Sequence, residues 1–175
     1  MKKLFSLFFI FFWCTSFSQT RFNKRYNYGG LEWAMNLLIN YKGDYVTYGF
    51  SSGTQVQSGM VMSFFDTTGN LIDSNRLILP FGKFVAKNSF NILDEDKQDS
   101  TYVVAGNKQW EAGGFNKSQF MLVKFNQSGD TIWTSIWGTG SNYIISYSLL
   151  ISDYGGYYVV GRMVDTALLK YFAFI

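Results

Sequence analysis

Few side chains in this sequence could do chemistry. The 175 residues contain no histidine, and the single cysteine, Cys14, lies in an apolar run near the start. Without them, Ser-His and Cys-His nucleophiles have no base, and the usual zinc and copper ligands are missing. No catalytic residue, metal centre or cofactor is expected. What remains is carboxylate and aromatic chemistry. Asp94-Glu95-Asp96-Lys97-Gln98-Asp99 is the densest acidic stretch, and Asp94, Asp96 and Asp99 are the candidates for a weak cation loop. The EF-hand pattern fails there for want of a glycine at the sixth position and a glutamate at the twelfth, so the main expectation is a solvated turn between strands. Trp110 and Glu111 form the second candidate, a ligand-binding loop within Asn107 to Ser118. An exposed indole beside a carboxylate can stack on a sugar and accept its hydroxyl hydrogen bonds; the competing reading packs Trp110 on a neighbouring sheet. Glu32, Glu95 and Glu111 are the only glutamates, and glycosidase chemistry would need two carboxylates at a defined separation across a bond.

These residues must be held by strands. Tyr, Trp and Phe alternate with Val, Ile and Thr, the types that pack well on a pleated surface. The alternation also repeats. Asp44-Tyr45-Val46-Thr47-Tyr48-Gly49 matches Thr101-Tyr102-Val103-Val104-Ala105-Gly106 and Gly156-Tyr157-Tyr158-Val159-Val160-Gly161, and the closing glycines recur about every 56 residues. Downstream, Met60 to Asp66 matches Phe120 to Asn126, and Leu168 to Phe174 begins a third copy. The turns Thr67-Thr68-Gly69-Asn70 and Gln127-Ser128-Gly129-Asp130 follow the first two copies, and in each the glycine and the residue after it are expected to supply positive φ. A further strand comes after each turn, at Leu71 and at Thr131, and an apolar segment precedes each Tyr-Val element. Trp133 and Trp137, on the strand that follows the second turn, are expected in the core.

Four short antiparallel strands per unit is the pattern of a β-propeller blade. The expected fold is therefore all-β, a partial β-propeller of four-stranded antiparallel blades with fewer than three copies present. Residues 1–18 have the layout of a signal peptide: Lys2 and Lys3, an apolar run from Leu4 to Trp13, and small residues at Ser16 and Ser18 before a cleavage point. Residues 19–33 form an N-terminal segment and 34–175 the incomplete repeat array. No later stretch is long and apolar enough to span a bilayer as a helix. The 15 lysines and arginines stand against 12 acidic residues, and two of the cations are in the leader, so the remainder is close to neutral. Nothing clusters into a basic face, so no nucleic-acid partner is expected.

Gly155 to Gly161, and Leu122 to Trp133 followed by Trp137-Gly138, resemble a group of secreted bacterial propeller-like repeat proteins. In that group a Gly-Gly-Tyr-Val-Val-Gly element leads into a Leu-Val-Lys strand and then a Gly-Asn or Gly-Asp turn. The likeness runs from about Leu37 to Ile175. It departs in the first unit, where Tyr48 replaces a small residue and Lys42-Gly43-Asp44 stands for the expected turn. The resemblance implies export, often by type IX secretion, with a C-terminal sorting domain that this sequence lacks. The third unit reaches Ile175 without its hairpin partner, which fits a piece of a longer protein. The functional expectation is a secreted or cell-surface scaffold or binding module without enzymatic activity, exported through the Sec pathway and engaging a polysaccharide or protein. The alternative is a fragment of a carbohydrate-active propeller enzyme whose catalytic groups lie outside this chain.

Overall fold

The computed structural model describes residues 31–52, 59–78, 83–85, 91–112, 115–138, 143–165 and 170–174. The expected signal peptide, residues 1–18, and most of the expected N-terminal segment lie outside the described residues. The described residues form twelve strands: β1 (Leu31–Ile39), β2 (Tyr45–Ser52), β3 (Gly59–Phe65), β4 (Leu71–Ile78), β5 (Lys83–Val85), β6 (Leu93–Asp96), β7 (Thr101–Ala112), β8 (Phe115–Phe125), β9 (Thr131–Trp137), β10 (Tyr143–Ile151), β11 (Tyr157–Asp165) and β12 (Lys170–Phe174). The described residues are all-β, and their strands pair antiparallel into three sheets. The first sheet has the order β1-β2-β3-β4 and the third β10-β11-β12. The second runs β5-β7-β8-β9, with β6 also pairing to β7. β1 begins at Leu31, inside the stretch assigned from sequence to the N-terminal segment.

The three sheets repeat one register. Ile39 faces Tyr45, Glu95 faces Tyr102 and Ile151 faces Tyr157. Two residues back along each first strand, Leu37, Leu93 and Leu149 lie opposite Thr47, Val104 and Val159. β1 and β10 carry a bulge at the same place, between Ala34 and Asn36 and between Ser146 and Ser148. A bulge adds an unpaired residue and sharpens the local twist. In the second sheet Val85 faces Asn107 and Leu93 faces Val104, so the first strand is described in two pieces, β5 and β6.

The hairpin turns are built by short side chains binding their own backbone. The Asp66 carboxylate accepts from the amides of Thr68 and Asn70, and the Asn126 side-chain oxygen accepts from those of Ser128 and Asp130. Gly69 and Gly129 take φ of 78° and 79°. The residue after each was also expected at positive φ; among the described residues only Ser100 is a non-glycine there, so the glycine alone supplies the reversal.

The sheets pack on one another around a shared core. Val46, Tyr48, Met60, Met62 and Phe64 of the first sheet join Leu93, Tyr102, Val104, Met121, Val123 and Phe125 of the second and Leu149 and Val159 of the third in one buried cluster. The first strand of each later sheet makes much of the contact: β10 lies against β6, β7 and β8, while β6 lies against β1 and β5 against β3. Alternation along a strand places successive side chains on opposite faces. Tyr102 and Val104 therefore face the first sheet, and Val103 and Ala105 face the third.

Candidate functional site

The acidic stretch begins on strand β6 and runs on into the exposed turn that leads to β7. Glu95 and Asp96 are buried, because β6 is sandwiched between the neighbouring sheets. Its three candidate ligands diverge. Asp94 accepts from the amide of Ile151 on the third sheet at 3.4 Å. Asp96 and Asp99 instead converge on one cation that the sequence left unassigned: the Lys124 ammonium lies 2.9 Å from Asp96 Oδ2 and 2.7 Å from Asp99 Oδ2. Lys124 also donates to the Tyr157 hydroxyl at 3.0 Å, and that hydroxyl donates to Asp96 Oδ2 at 3.1 Å. The charge that a metal would have neutralised is met by the protein's own lysine. The expected solvated turn is present at residues 97–100, where Lys97, Gln98 and Asp99 are exposed, while Asp96 at its start is buried in an ion cluster with Lys124 that the Tyr157 hydroxyl of the third sheet completes. Lys124 was missed because it reads as the polar residue of an alternating strand, twenty-eight residues along the chain from Asp96.

The electrostatics follow from burial and pairing. Desolvation by itself would lower the Lys124 pKa; hydrogen bonds to Asp99, Tyr157 and Asp96 outweigh it and raise it well above the usual lysine range. Burial would raise Asp99, but the bonds from Lys124 and Thr101 hold its carboxyl below the ordinary value. Glu95 shows the opposite outcome, its pKa raised by burial and only partly restrained by the Tyr41 amide, which donates to Oε2 at 2.9 Å.

This cluster has a counterpart one sheet earlier. Asn40 and Asp96 occupy equivalent positions, each just past the first strand's pairing with Tyr45 or Tyr102. Asn40 Nδ2 donates to the Tyr102 hydroxyl at 3.0 Å, as Asp96 receives the Tyr157 hydroxyl. Phe64 and Lys124 are equivalent on the third strands, and each meets that same tyrosine of the next sheet. The Phe64 and Tyr102 ring centroids are 5.5 Å apart, and the Lys124 ammonium is 5.7 Å from that of Tyr157. A second polar seam joins the second and third sheets. Asn107, fully buried, donates to the Ile144 carbonyl, and its Oδ1 accepts from Ser146 Oγ at 2.9 Å and Ser146 N at 3.3 Å. Asn91, just before β6, bridges to β10, its carbonyl accepting from the Leu149 amide at 2.6 Å.

Trp110 and Glu111 lie on strand. β7 runs to Ala112 and β8 starts at Phe115, with Trp110 opposite Lys117 and Glu111 opposite Asn116. The expected long connection is thus an extension of the hairpin, carried beyond the described pairing of β5, which ends at Lys83 opposite Gln109. Trp110 is half-buried, and the Glu111 side chain lies outside what is described. The acidic cluster sits at the turn end of β6 and β7, the far end of β7 from Trp110. Of the two tryptophans expected in the core, Trp133 packs against it and meets Tyr157 at 5.7 Å. Trp137 is half-exposed instead and stacks on Phe120 at 5.3 Å, because β9 is an edge strand of its sheet.

Among the described residues, then, Asp96 and Lys124 pair inside the stack while buried Glu95 is held only by the Tyr41 amide, and no group of three or more His, Cys, Asp or Glu side chains is placed to hold a metal. Fold and geometry define an all-β protein of stacked antiparallel sheets, pinned together by tyrosine, lysine and asparagine at their seams. No protein-family model matches the chain, and neither does any curated protein.

Proposed function

We propose that the chain is an exported, non-enzymatic scaffold or binding module whose three sheets are blades of a propeller-type array. The observation that carries this reading is the common register of the sheets, with ionisable side chains turned into the seams between them. Charge turned inward in this way is withheld from substrate. The resemblance of the repeat to secreted bacterial propeller-like proteins, and the layout of residues 1–18, support export to the cell surface or beyond.

The ligand class is a polysaccharide, met by the β7–β8 hairpin. Trp110 stands on the part of that hairpin that reaches past its described neighbours, and an indole presents both a stacking face and an N–H donor. The test is binding of the purified chain to a panel of immobilised bacterial and plant polysaccharides, alongside Trp110→Ala. At least one polysaccharide is expected to retain the parent chain, with binding weakened about tenfold or more in the variant at an unchanged melting temperature. Equal binding by both proteins, or binding to none of the panel, would reject this ligand assignment.

A further inference from the structure

The outward faces of the first and third sheets each carry an open apolar strip, on β1 and on β10 and β11, and the two strips are related to each other by the repeat. Leu37, Leu93 and Leu149 hold one position of the unit. Leu93 and Leu149 are each 1% exposed against the preceding sheet, whereas Leu37 is 58% exposed. Ile39 stands beside it, exposed, where Glu95 and Ile151 of the later sheets face inward. On the opposite face, Val46 and Val103 are both 0% exposed beneath the following sheet; Tyr158, their equivalent, is 53% exposed. Val160 and Leu150 flank it and are also exposed, in place of the buried Tyr48 and Ala105 and the half-buried Leu38 and Asp94.

The two open faces are therefore the two halves of a contact that this molecule already makes twice. We infer that the third sheet receives the first sheet of a second copy of the chain, head to tail. The occupant follows from continuity with the internal seams. In the contact of the second and third sheets, it is the first strand, β10, that lies on the preceding sheet. The open strip of the first sheet is likewise on its first strand, β1, and Val61 and Ser63 farther across that face are already buried. The polar pairing continues in register as well: Ser152 stands where Asn40 and Asp96 meet the next sheet's tyrosine, and Tyr45 of the second copy stands where Tyr102 and Tyr157 receive them. Such a contact is heterologous, one kind of face against another, so two copies can close on each other through two identical junctions. Two copies of three sheets would fall within the range of closed propellers. The inference rests on register and burial, independently of any polysaccharide bound at Trp110.

Sedimentation velocity on the full chain, recovered from an exporting host, tests it with two charge variants. Ile39→Glu damages only the first-sheet face and Tyr158→Glu only the third-sheet face; Leu37→Glu and Leu150→Glu are the second pair should either first choice melt early. The parent chain is expected to sediment as two copies, and each variant alone as one copy, with association weakened at least about tenfold. An equimolar mixture of Ile39→Glu and Tyr158→Glu is expected to regain a one-to-one pair, since each supplies the face that the other lacks. A parent that stays a single copy across the dilution series overturns the inference, as it would if residues of the same chain covered these faces. So does a variant that pairs with itself as well as the parent does, or a mixture in which no pair forms.

Discussion

The second sheet and the two that flank it are made from one repeat, yet they live in different surroundings. Along β7 every side chain from Thr101 to Asn107 is buried, on both faces; along β11, Val159 is buried while Tyr158 and Val160 on either side of it are exposed. A strand covered on both faces reads as a continuous apolar run, and one covered on a single face should alternate with polar residues. The β11 sequence does not alternate in that way. Its open face keeps Tyr158 and Val160, so it has the composition of an inner sheet in the place of an outer one. The same holds at Leu37 and Ile39 of β1. At the leucine position, where residue type stays constant, place in the stack decides exposure.

The comparison can be broken most forcefully at the seam between the second and third sheets. Lys124→Met strands Asp96 and Asp99 without their cation and is expected to destabilise the fold by about 3–5 kcal/mol, the usual cost of orphaning a buried charge. Urea denaturation reads it, and adding Asp96→Asn should recover part of the loss. The cluster would be shown to matter little if the single variant unfolded at the parent's midpoint.

A truncation series at one repeat position sharpens the contrast. Leu93→Ala and Leu149→Ala should each cost about 2–5 kcal/mol, because each empties a filled inter-sheet site. Leu37→Ala, measured where the chain is dissociated, should change stability by less than about 0.5 kcal/mol. Equal losses at all three positions would mean that Leu37 is covered in solution even in a single copy.

The smallest expected effect is that of pH. The Asp99 carboxyl is held below its ordinary value in the folded chain, so its contribution is present above the unfolded carboxylate pKa of about 4 and is lost as pH falls through the lower folded value. Half-exposed Asp99 limits that loss to about 1 kcal/mol or less. Exposed Asp66, lowered by hydrogen bonds from Thr68 and Asn70, titrates in the same sense. Glu95, raised by burial, works against both, since its cost is relieved on protonation. Lys124, raised, contributes below the unfolded lysine pKa of about 10 and loses that contribution only at strongly alkaline pH. Stability measured by denaturant titration should thus be level from about pH 5 to pH 9 and decline in acid, less steeply in Asp99→Asn. An Asp99→Asn profile that overlays the parent's would remove Asp99 from the account.

Much of this architecture could be read from residues alone. Strand identity, antiparallel hairpins and the common register are local matters. Alternation sets which side chains share a face, and Gly69 and Gly129 reverse the chain with the help of Asp66 and Asn126 a few residues away. The hairpin reaching out to Trp110 was misread as a connection because Asn107-Lys108-Gln109 and Glu111 look like loop residues; pairing with β8, which no local propensity reports, makes them strand. The start of the acidic stretch, Glu95 and Asp96, is buried for the same kind of reason, while the turn that follows is exposed as expected. A run of carboxylates belongs in solvent on its own sequence; strand pairing within the second sheet brought Lys124 beside Asp96, and stacking of the third sheet added Tyr157 and covered the pair.

The sequence by itself therefore determined the unit: its strands, its turns and its two-faced apolar pattern, all set by interactions within a few residues or across one hairpin. The tertiary structure decided which copies of that pattern are covered. Burial and the pairing of buried charge depend on what lies beyond the sheet, and three equivalent leucines differ only in whether another sheet is there.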